Sequence, residues 1–210
     1  MNYINRHCRI RNKTIYSGGT IVYENPDGIL DEFMDTAFTA LSVGYPKFYK
    51  MDRLSKLGFL ASETLLKGIR LLDKYKAESV GVVLSNSNAS LDTDLKYFES
   101  TKTIASPALF VYTLSNIVAG EICIRQGIKG ENAFFVLPGF DAARLFEYTE
   151  LVMGSGKTDA CIAGWVDVLG EQHDVFLYLL EKSNNGGLKH TAAQLQKLYH
   201  VNYGPVDGGS

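Results

Sequence analysis

A layered α/β domain is predicted, because apolar segments of strand length alternate along the chain with segments of helical periodicity. The strands predicted at 133–137 and 160–166 enclose a helix, so we expect them to be parallel neighbours joined by a right-handed crossover. The chain has 210 residues, of which 46% are hydrophobic and 21% are charged, and this length suits one domain with an ordinary buried core.

The first half of the chain carries the clearest helical signal. Apolar residues recur at helical spacing from Met51 to Leu72, and Asp52 stands near the start, where a negative charge suits the helix dipole. Residues 8–24 alternate around Gly18 and Gly19 as in a β-hairpin. The other predicted elements of this half are a short helix at 29–41, a strand with a polar loop at 79–90 and a short helix at 91–100.

The second half continues the alternation. A long helix is predicted to begin near Pro107 and to end at Gly127 or Gly130, since glycine is a common helix terminator. The elements predicted after it are a strand at Ala133–Leu137, a helix at about Phe140–Met153, a strand at 158–169 with Gly164 and Trp165 near its exposed end, a strand at 173–183, a small helix at 190–200 and a frayed tail at 204–210. We predict a domain over 1–185, followed by a C-terminal helix and tail at 186–210.

The charge and hydropathy of the chain argue against two classes of protein. The formal net charge of -2 leaves no electrostatic footprint for nucleic acid. No apolar run approaches the roughly 20 residues that span a bilayer, and no hydrophobic signal core opens the sequence, so we expect no membrane span and a cytoplasmic location. The spacing of the basic residues near the N-terminus favours a solvated strand edge over a patch for an anionic ligand; these residues are Arg6, Arg9, Arg11 and Lys13.

The three cysteines lie far apart and lack CxxC spacing, which argues against a disulfide framework and against a zinc site. We therefore expect reduced, mostly buried thiols at Cys8, Cys123 and Cys161, with no metal and no cofactor.

The segment "ENAFFVLPGFDAARLFEYTELVMGSG" predicts a strand, a Pro-Gly turn and a helix. Enzymes use such an elbow to expose a nucleophile where the helix dipole and free N–H groups stabilise negative charge. The residue at the turn is Gly139, which has no side chain, and Asp141 is expected to cap the helix. Thr149 lies inside the helix. The sequence therefore predicts an elbow without a nucleophile.

Four segments in conserved order carry a family resemblance. The stretch "SPALFVYTLSNIVAGEICIRQGIKGENAFFVLPGFDAA" resembles the N-terminal half of the β-ketoacyl-acyl-carrier-protein synthases of the thiolase superfamily. The segments "MDRLSKLGFLASETLL", "SVGVVLSNSNASLDTDLKYFES" and "GKTDACIAGWVDVL" are similar to its other motifs. The resemblance covers about residues 45–170 and implies a thiolase-like half, a layered mixed sheet with helices on both faces.

This chain departs from the family at its catalytic positions. Gly139 stands where the family has its nucleophilic cysteine, and Glu131 stands where it usually has proline. The two catalytic histidines of the family lie in its second half, and the contexts of His173, His190 and His200 are unlike theirs. This sequence is similar to short ketosynthase N-terminal-like proteins of polyketide and aryl-polyene pathways, and it is also similar to chain-length factors. Both comparisons imply an accessory role.

The resemblance also implies where the chain would act. Backbone N–H groups at Gly139 and Phe140 are candidates for an oxyanion or acyl pocket. Tyr112 and Asn116, spaced i, i+4 on one helix face, and Phe134 and Phe135, in the strand before the elbow, are candidates for an interface or tunnel. In the family that strand pairs antiparallel across a two-fold axis. The loop "SNSNAS" could cradle a ligand, but a solvated loop is the simpler interpretation.

Three functions remain open at this point. The first is an accessory or scaffold protein of fatty-acid or polyketide biosynthesis that forms a homodimer, or a heterodimer with a full-length ketosynthase. The second is a 3-oxoacyl-synthase-type acyltransferase or a malonyl decarboxylase completed by a partner chain. The third is a small-molecule or acyl-carrier-protein binder without a catalytic partner.

Overall fold

One mixed sheet of eight strands organises the described part of the chain, residues 1–201, in this computed structural model. Its strands are β1 (Tyr3–Arg11), β2 (Thr14–Ser17), β3 (Thr20–Glu24), β4 (Val80–Asn86), β5 (Asn132–Val136), β6 (Ala160–Leu169), β7 (Gln172–Glu181) and β8 (Leu188–Lys189). The strand order is β3-β2-β1-β7-β6-β4-β5, and β8 pairs with the start of β1. β4 is parallel to β5 and β6, whereas β7 is antiparallel to both of its neighbours.

Helices cover both faces of this sheet. They are α1 (Leu30–Ala40), α2 (Arg53–Leu65), α3 (Leu91–Thr101), α4 (Pro107–Val111), α5 (Ile117–Gln126), α6 (Ala142–Gly154) and α7 (Ala192–His200) within the described residues. α1, α2 and α5 contribute to one hydrophobic cluster, and α6 and α7 contribute to a second one across the sheet. The predicted layered mixed sheet with helices on both faces is therefore confirmed.

Strand β7 shows how one strand serves both clusters. Val175, Leu177 and Leu179 pack on the α2 side, because alternate side chains of a strand point to one face. Phe176 and Tyr178 pack on the α6 side. A strand covered on both faces needs an almost unbroken apolar sequence, which is the pattern of this segment.

The predicted adjacency of two strands is wrong. β5 and β6 are parallel, but β4 lies between them and pairs with both. The helix between two strands indicates their relative direction and says nothing about a third strand that can enter from earlier in the chain.

The helix predicted from Met51 to Leu72 is shorter than expected. α2 begins after Asp52, whose Oδ1 accepts a hydrogen bond from the Ser55 N–H at 2.9 Å, so Asp52 is its N-cap. It ends at Leu65, and Gly68 follows with φ +78, a left-handed conformation that a helix cannot continue through. The apolar spacing continues past the end of the helix because Ile69 and Leu71 also pack on the core, whereas Leu72 is exposed.

The long helix predicted over 106–130 is also wrong, because it is broken into α4 and α5. Tyr112 ends α4 and Asn116 precedes α5, so these two residues do not share one helix face. At the break, the hydroxyl of Ser90 donates to the carbonyl of Thr113 at 2.9 Å. Gly127, with φ 70, ends α5 as one of the two predicted terminators.

Two further expectations about burial are wrong. Gly164 and Trp165 are buried in β6, where β4 and β7 flank them, and do not lie near an exposed end. Arg9 is only 2% exposed, so it does not belong to a solvated strand edge. The hairpin around Gly18 and Gly19 is confirmed as β2 and β3. The frayed tail predicted at 204–210 lies outside the described residues, and the boundary proposed after residue 185 stays a prediction.

Candidate functional site

The predicted elbow joins β5 to α6. The Leu137 N–H donates to the Asn86 carbonyl at 2.8 Å, which holds the end of β5 against β4. Pro138 and Gly139 form the turn, and the Asp141 carboxylate accepts a hydrogen bond from the Arg144 N–H at 3.0 Å. Asp141 is therefore the N-cap of α6, as predicted, and is not a free acid at the turn.

Gly139 has space for a side chain that it does not carry. A Cβ atom added at this position would meet no atom within 4 Å. Its φ is not in the left-handed region, so the backbone here does not require glycine. An open cavity of about 500 Å³ adjoins it, lined by the turn and by Ala192, Ala193 and Gln196 of α7. The elbow therefore has room for a side chain at Gly139.

Phe140 lines this cavity and packs its ring into an aromatic cluster. Its ring stacks on Tyr199 of α7, with centroids 3.6 Å apart and planes at 2°. It also meets the edges of Trp165 and Phe176, with centroids at 6.2 and 5.9 Å. The side chain of Phe140 thus anchors α7 on the elbow, and only its backbone is left for the predicted oxyanion role.

Arg9 completes this cluster from β1. Its guanidinium carbon lies 4.1 Å from the centroid of the Tyr199 ring, and its Nη2 lies 2.7 Å from Asp174 Oδ1. The Tyr199 hydroxyl donates a short hydrogen bond to the other oxygen of Asp174. Burial and this bond to a carboxylate raise the pKa of Tyr199 to about 12. Sequence reasoning missed this group; the apolar face of the C-terminal helix was the signal that could have indicated it.

The histidines do not assemble at the elbow. His190 Nδ1 lies 2.7 Å from Glu150 Oε1, and its Nε2 lies 3.4 Å from Thr149 Oγ1. This order of hydroxyl, imidazole and carboxylate resembles a hydrolytic triad, but the side chains of Thr149 and His190 are fully buried and no substrate can reach them. His173 accepts from the Lys13 N–H at 3.1 Å, near the β1–β2 turn. His200 lies beside Gln196 on α7.

The cysteines are free, as predicted. Cys8 and Cys161 are buried, and Cys123 is half-buried. Burial raises the pKa of Cys123 to about 11 and that of Cys161 to about 12, so both are neutral thiols at pH 7. No group of three or more histidine, cysteine or acidic residues that could hold a metal ion occurs among residues 1–201.

The loop "SNSNAS" uses most of its backbone donors within the fold. The N–H groups of Ser87 and Asn88 both donate to Asp167 Oδ1, at 3.2 and 3.0 Å. The Ala89 N–H donates to the side chain of Asn86 at 3.0 Å. These bonds favour the simpler interpretation over a ligand cradle, because Asp167 of β6 already supplies the acceptor.

The remaining predicted residues lie on both sides of β5. Phe134 packs against the α2 cluster, and Phe135 stacks on Tyr148 of α6 with centroids 3.9 Å apart. Tyr112 is buried and its hydroxyl donates to Glu121 at 3.2 Å, so it holds α4 against α5. Asn116 lies at the start of α5. Phe134 and Phe135 thus lie on opposite faces of β5, and Gly139 and Phe140 follow at the elbow. Tyr112 and Asn116 lie in the α4–α5 break.

Comparison with solved structures identifies the fold. The chain superposes on the ishigamide ketosynthase/chain length factor with a TM-score of 0.62 and 18% identity, covering 87% of this chain and 62% of that chain. It matches a ketosynthase in complex with its chain length factor from Xenorhabdus doucetiae with a TM-score of 0.52 and 10% identity, covering 87% and 80%. A type II polyketide synthase acyl-carrier protein in complex with its ketosynthase matches with a TM-score of 0.58 and 16% identity, covering 86% and 62%.

No family model and no curated protein matches the chain. The chain spans about six-tenths of the length of most of these structures. No helix among the described residues is long and apolar enough to cross a membrane. At this level of identity the likeness establishes architecture, and the chain has the thiolase-like α/β fold of ketosynthases and chain length factors.

Proposed function

We propose that this chain is a ketosynthase-like accessory protein of fatty-acid or polyketide biosynthesis, of the aryl-polyene type, that works in the cytoplasm as a dimer partner. It does not catalyse condensation by itself. The elbow carries the proposal: a ketosynthase fold has room for a nucleophile at Gly139 and presents none. His190 and His173 form hydrogen bonds within the fold, and His200 contacts Gln196 of its own helix.

The open edge of β5 supports a partner. Glu131 and Leu137 bond to β4 through their backbone, so by alternation Asn132, Phe134 and Val136 direct their N–H and C=O groups away from the sheet. No other strand of residues 1–201 pairs with this side of β5. Unpaired backbone groups on an edge strand are a template for another strand, as the resemblance implies for this family.

Apolar side chains flank this edge. Val136 on the strand is 55% exposed, Leu151 on α6 is 72% exposed and Ile124 on α5 is 65% exposed. Leu151 lies beside Glu131, at the start of β5. Large apolar side chains exposed on both helices that cover an edge strand favour a protein contact over solvent.

A second apolar surface continues from the end of β5. The loop 86–90 touches Leu137 on one side and Thr113 on the other, so the α4–α5 break lies next to the strand end. The exposed apolar residues of this surface are Leu91, Leu95, Phe98, Ile104, Phe110, Val111 and Leu114. A stable interface buries about 800 Å² per partner, more than a five-residue strand supplies. The surface adds the missing area.

The charge of this surface favours a protein partner over a lipid. Helix α3 presents two carboxylates, the half-buried Asp94 and the exposed Glu99, against one lysine within its bounds, whereas Asp92 is buried. Helices that lie on membranes are rich in lysine and arginine on their polar face. A full-length ketosynthase is the partner we propose, with a second copy of this chain as the competing outcome.

A second candidate is supported by the cavity at Gly139. An opening of about 500 Å³ at the N-terminus of α6 could hold the enolate of a malonyl group against the N–H groups of Gly139 and Phe140. In this reading a partner chain supplies the missing acid–base groups, and the pair acts as a malonyl decarboxylase or an acyltransferase.

The deciding experiment uses the purified chain with malonyl- and acyl-carrier protein, alone and with a co-expressed full-length ketosynthase. We expect a stable complex by light scattering, and neither covalent loading nor CO₂ release by the chain alone. Val136→Pro removes one outward N–H group of β5 and should weaken the complex, whereas Val136→Thr keeps that N–H group and should not. Loading of the isolated chain, or equal complexes with both variants, would contradict the proposal.

A further inference from the structure

A cavity of about 810 Å³ lies at the end of the sheet opposite the elbow. Asn5 and Arg6 at the start of β1 form its floor, and the segment 68–75 between α2 and β4 forms one wall. The end of β7 forms the other wall. β1 and β6 are both antiparallel to β7, so β1 runs in the same direction as β6. β4 and β5 also run in this direction. The start of β1 therefore lies at the end of the sheet opposite the end of β5. The elbow and this cavity are therefore far apart.

Glu181 is a buried carboxylate at the base of this cavity. Its Oε1 accepts hydrogen bonds from Lys74 Nζ at 2.8 Å and from the Tyr75 hydroxyl at 2.6 Å. Its Oε2 accepts from Asn5 Nδ2 at 2.6 Å. Burial acts to raise the pKa of Glu181, but these hydrogen bonds outweigh it and lower the pKa, so the group is ionised. Its charge is matched by Lys74 within the wall.

Two arginines remain to face a ligand. Arg6 donates through Nη1 to the Lys67 carbonyl at 2.8 Å, which fixes its guanidinium at the cavity and leaves its other N–H groups free of that bond. Arg70 lines the same cavity and is exposed. The charged lining consists of three cations, Arg6, Arg70 and Lys74, against two anions, Asp73 and Glu181, which leaves a charge of +1. The whole chain carries -2, so this cavity is electropositive against the rest of the molecule.

An adjoining cavity extends the positive region. It measures about 450 Å³ and shares Gly68, Ile69 and Arg70 with the first, so Arg70 stands between the two. Its far wall carries Lys67 and Arg125, and Arg125 forms two hydrogen bonds with Glu63, at 2.9 and 2.7 Å. Arg70 is exposed and lines both cavities, so its side chain can reach a ligand from either side.

Part of the remaining lining is apolar and can contact the body of the ligand. Ile69, Leu71 and Leu179 form this part of the wall. A concave site with an apolar wall and a few convergent polar groups is the usual form of a small-molecule site. We propose that this cavity binds an organic anion, a carboxylate or a phosphate monoester with a short apolar body, whose charged group lies between Arg6 and Arg70. This site is independent of the proposed pairing through β5.

The test is calorimetric titration of the full chain with hexanoate, phenyl phosphate, inorganic phosphate and hexanamide. We expect one saturable site for hexanoate or phenyl phosphate, with the comparison between the two identifying the preferred head group. Binding should weaken as salt is raised, because the contact is ionic. Hexanamide, which lacks the charge, and inorganic phosphate, which lacks the apolar body, should bind at least about tenfold more weakly.

Arg70→Glu reverses the charge at the site and should weaken binding by about tenfold or more. Arg144→Glu makes the same change on the exposed face of α6 at the elbow end and serves as the matched control. Thermal unfolding of both variants verifies that the fold is kept. The proposal is overturned if neither anion binds saturably, if hexanamide binds as tightly as hexanoate, or if the two variants bind equally. None of these results bears on the complex with a ketosynthase.

Discussion

Gly139 at the elbow and Gly164 in β6 differ in the space that the surrounding structure leaves for a side chain. At the elbow, a Cβ atom on Gly139 would meet nothing within 4 Å. In the middle of β6, a Cβ atom on Gly164 would lie 1.9 Å from the carbonyl oxygen of Phe176, and its φ of +150 disfavours any other residue. The fold requires the second glycine and only tolerates the first. Packing and backbone conformation therefore require glycine in β6, and neither requires it at the elbow.

The largest effect is expected for Gly164→Ala. The added methyl group must displace the backbone of β7, and the left-handed φ adds strain, so we expect a loss of about 4 kcal/mol in the free energy of unfolding. Urea unfolding of wild type and variant measures it. A loss under about 1 kcal/mol would mean that β6 and β7 can separate locally, and would break the contrast with the elbow.

The next effect sharpens the role of α7 at the elbow. Tyr199→Ala removes the ring stacked between Phe140 and Arg9, and we expect a loss of about 2–4 kcal/mol. Tyr199→Phe keeps the ring and removes only the hydrogen bond to Asp174, so its loss should be about 1 kcal/mol. Equal losses in the two variants, measured by urea unfolding, would assign the anchoring to the hydroxyl and not to the stack.

A smaller effect on stability is expected for His190. This residue precedes α7, and its ring contacts Glu150 of α6. Burial lowers the pKa of His190 from 6.5 more than its contact with Glu150 raises it. The unfolded chain therefore takes up a proton first as the pH falls, and stability is lost from about pH 6.5 down through the lower pKa of the folded state. The slope that one histidine adds is at most about 1.4 kcal/mol per pH unit.

His190→Gln tests this through thermal unfolding at pH 7.5 and pH 5.5. The charged or titratable groups around His190 are Glu150 and the buried Tyr178. We expect the variant to lose less stability on acidification than wild type does. His7 and His173, whose pKa values are also lowered by burial, keep part of the slope. Wild type that is more stable at pH 5.5 would reverse the sign and refute the account.

The smallest effect is expected at the elbow itself. Gly139→Ala should change the free energy of unfolding by less than about 0.5 kcal/mol, because the methyl group enters open space. Gly139→Cys should fold equally well and react with iodoacetamide faster than the buried native thiols do. It should not restore condensation in the isolated chain. Condensation by this variant alone would show that the isolated chain contains the acid–base groups that we expect it to lack.

The sequence predicted the elements better than their extents. Alternating apolar segments indicated the strands and the helices on both faces, since burial leaves a periodic trace in the sequence. The helices ending at Leu65 and broken after Tyr112 were overestimated. In both, apolar residues recur beyond the end of the helix, and the turn after Tyr112 is contacted by Ser90 from a distant segment, which local spacing cannot indicate.

The candidate site divides in the same way. The empty elbow at Gly139 and the cap at Asp141 follow from local order along the chain, and the sequence by itself determined both. The exposed edge of β5, the burial of Arg9 under Tyr199 and the cavity between Arg6 and Arg70 join segments that lie more than 60 residues apart. Only the tertiary structure decided them, because residue type and spacing constrain the local backbone, whereas distant contacts depend on which strands become neighbours in the sheet.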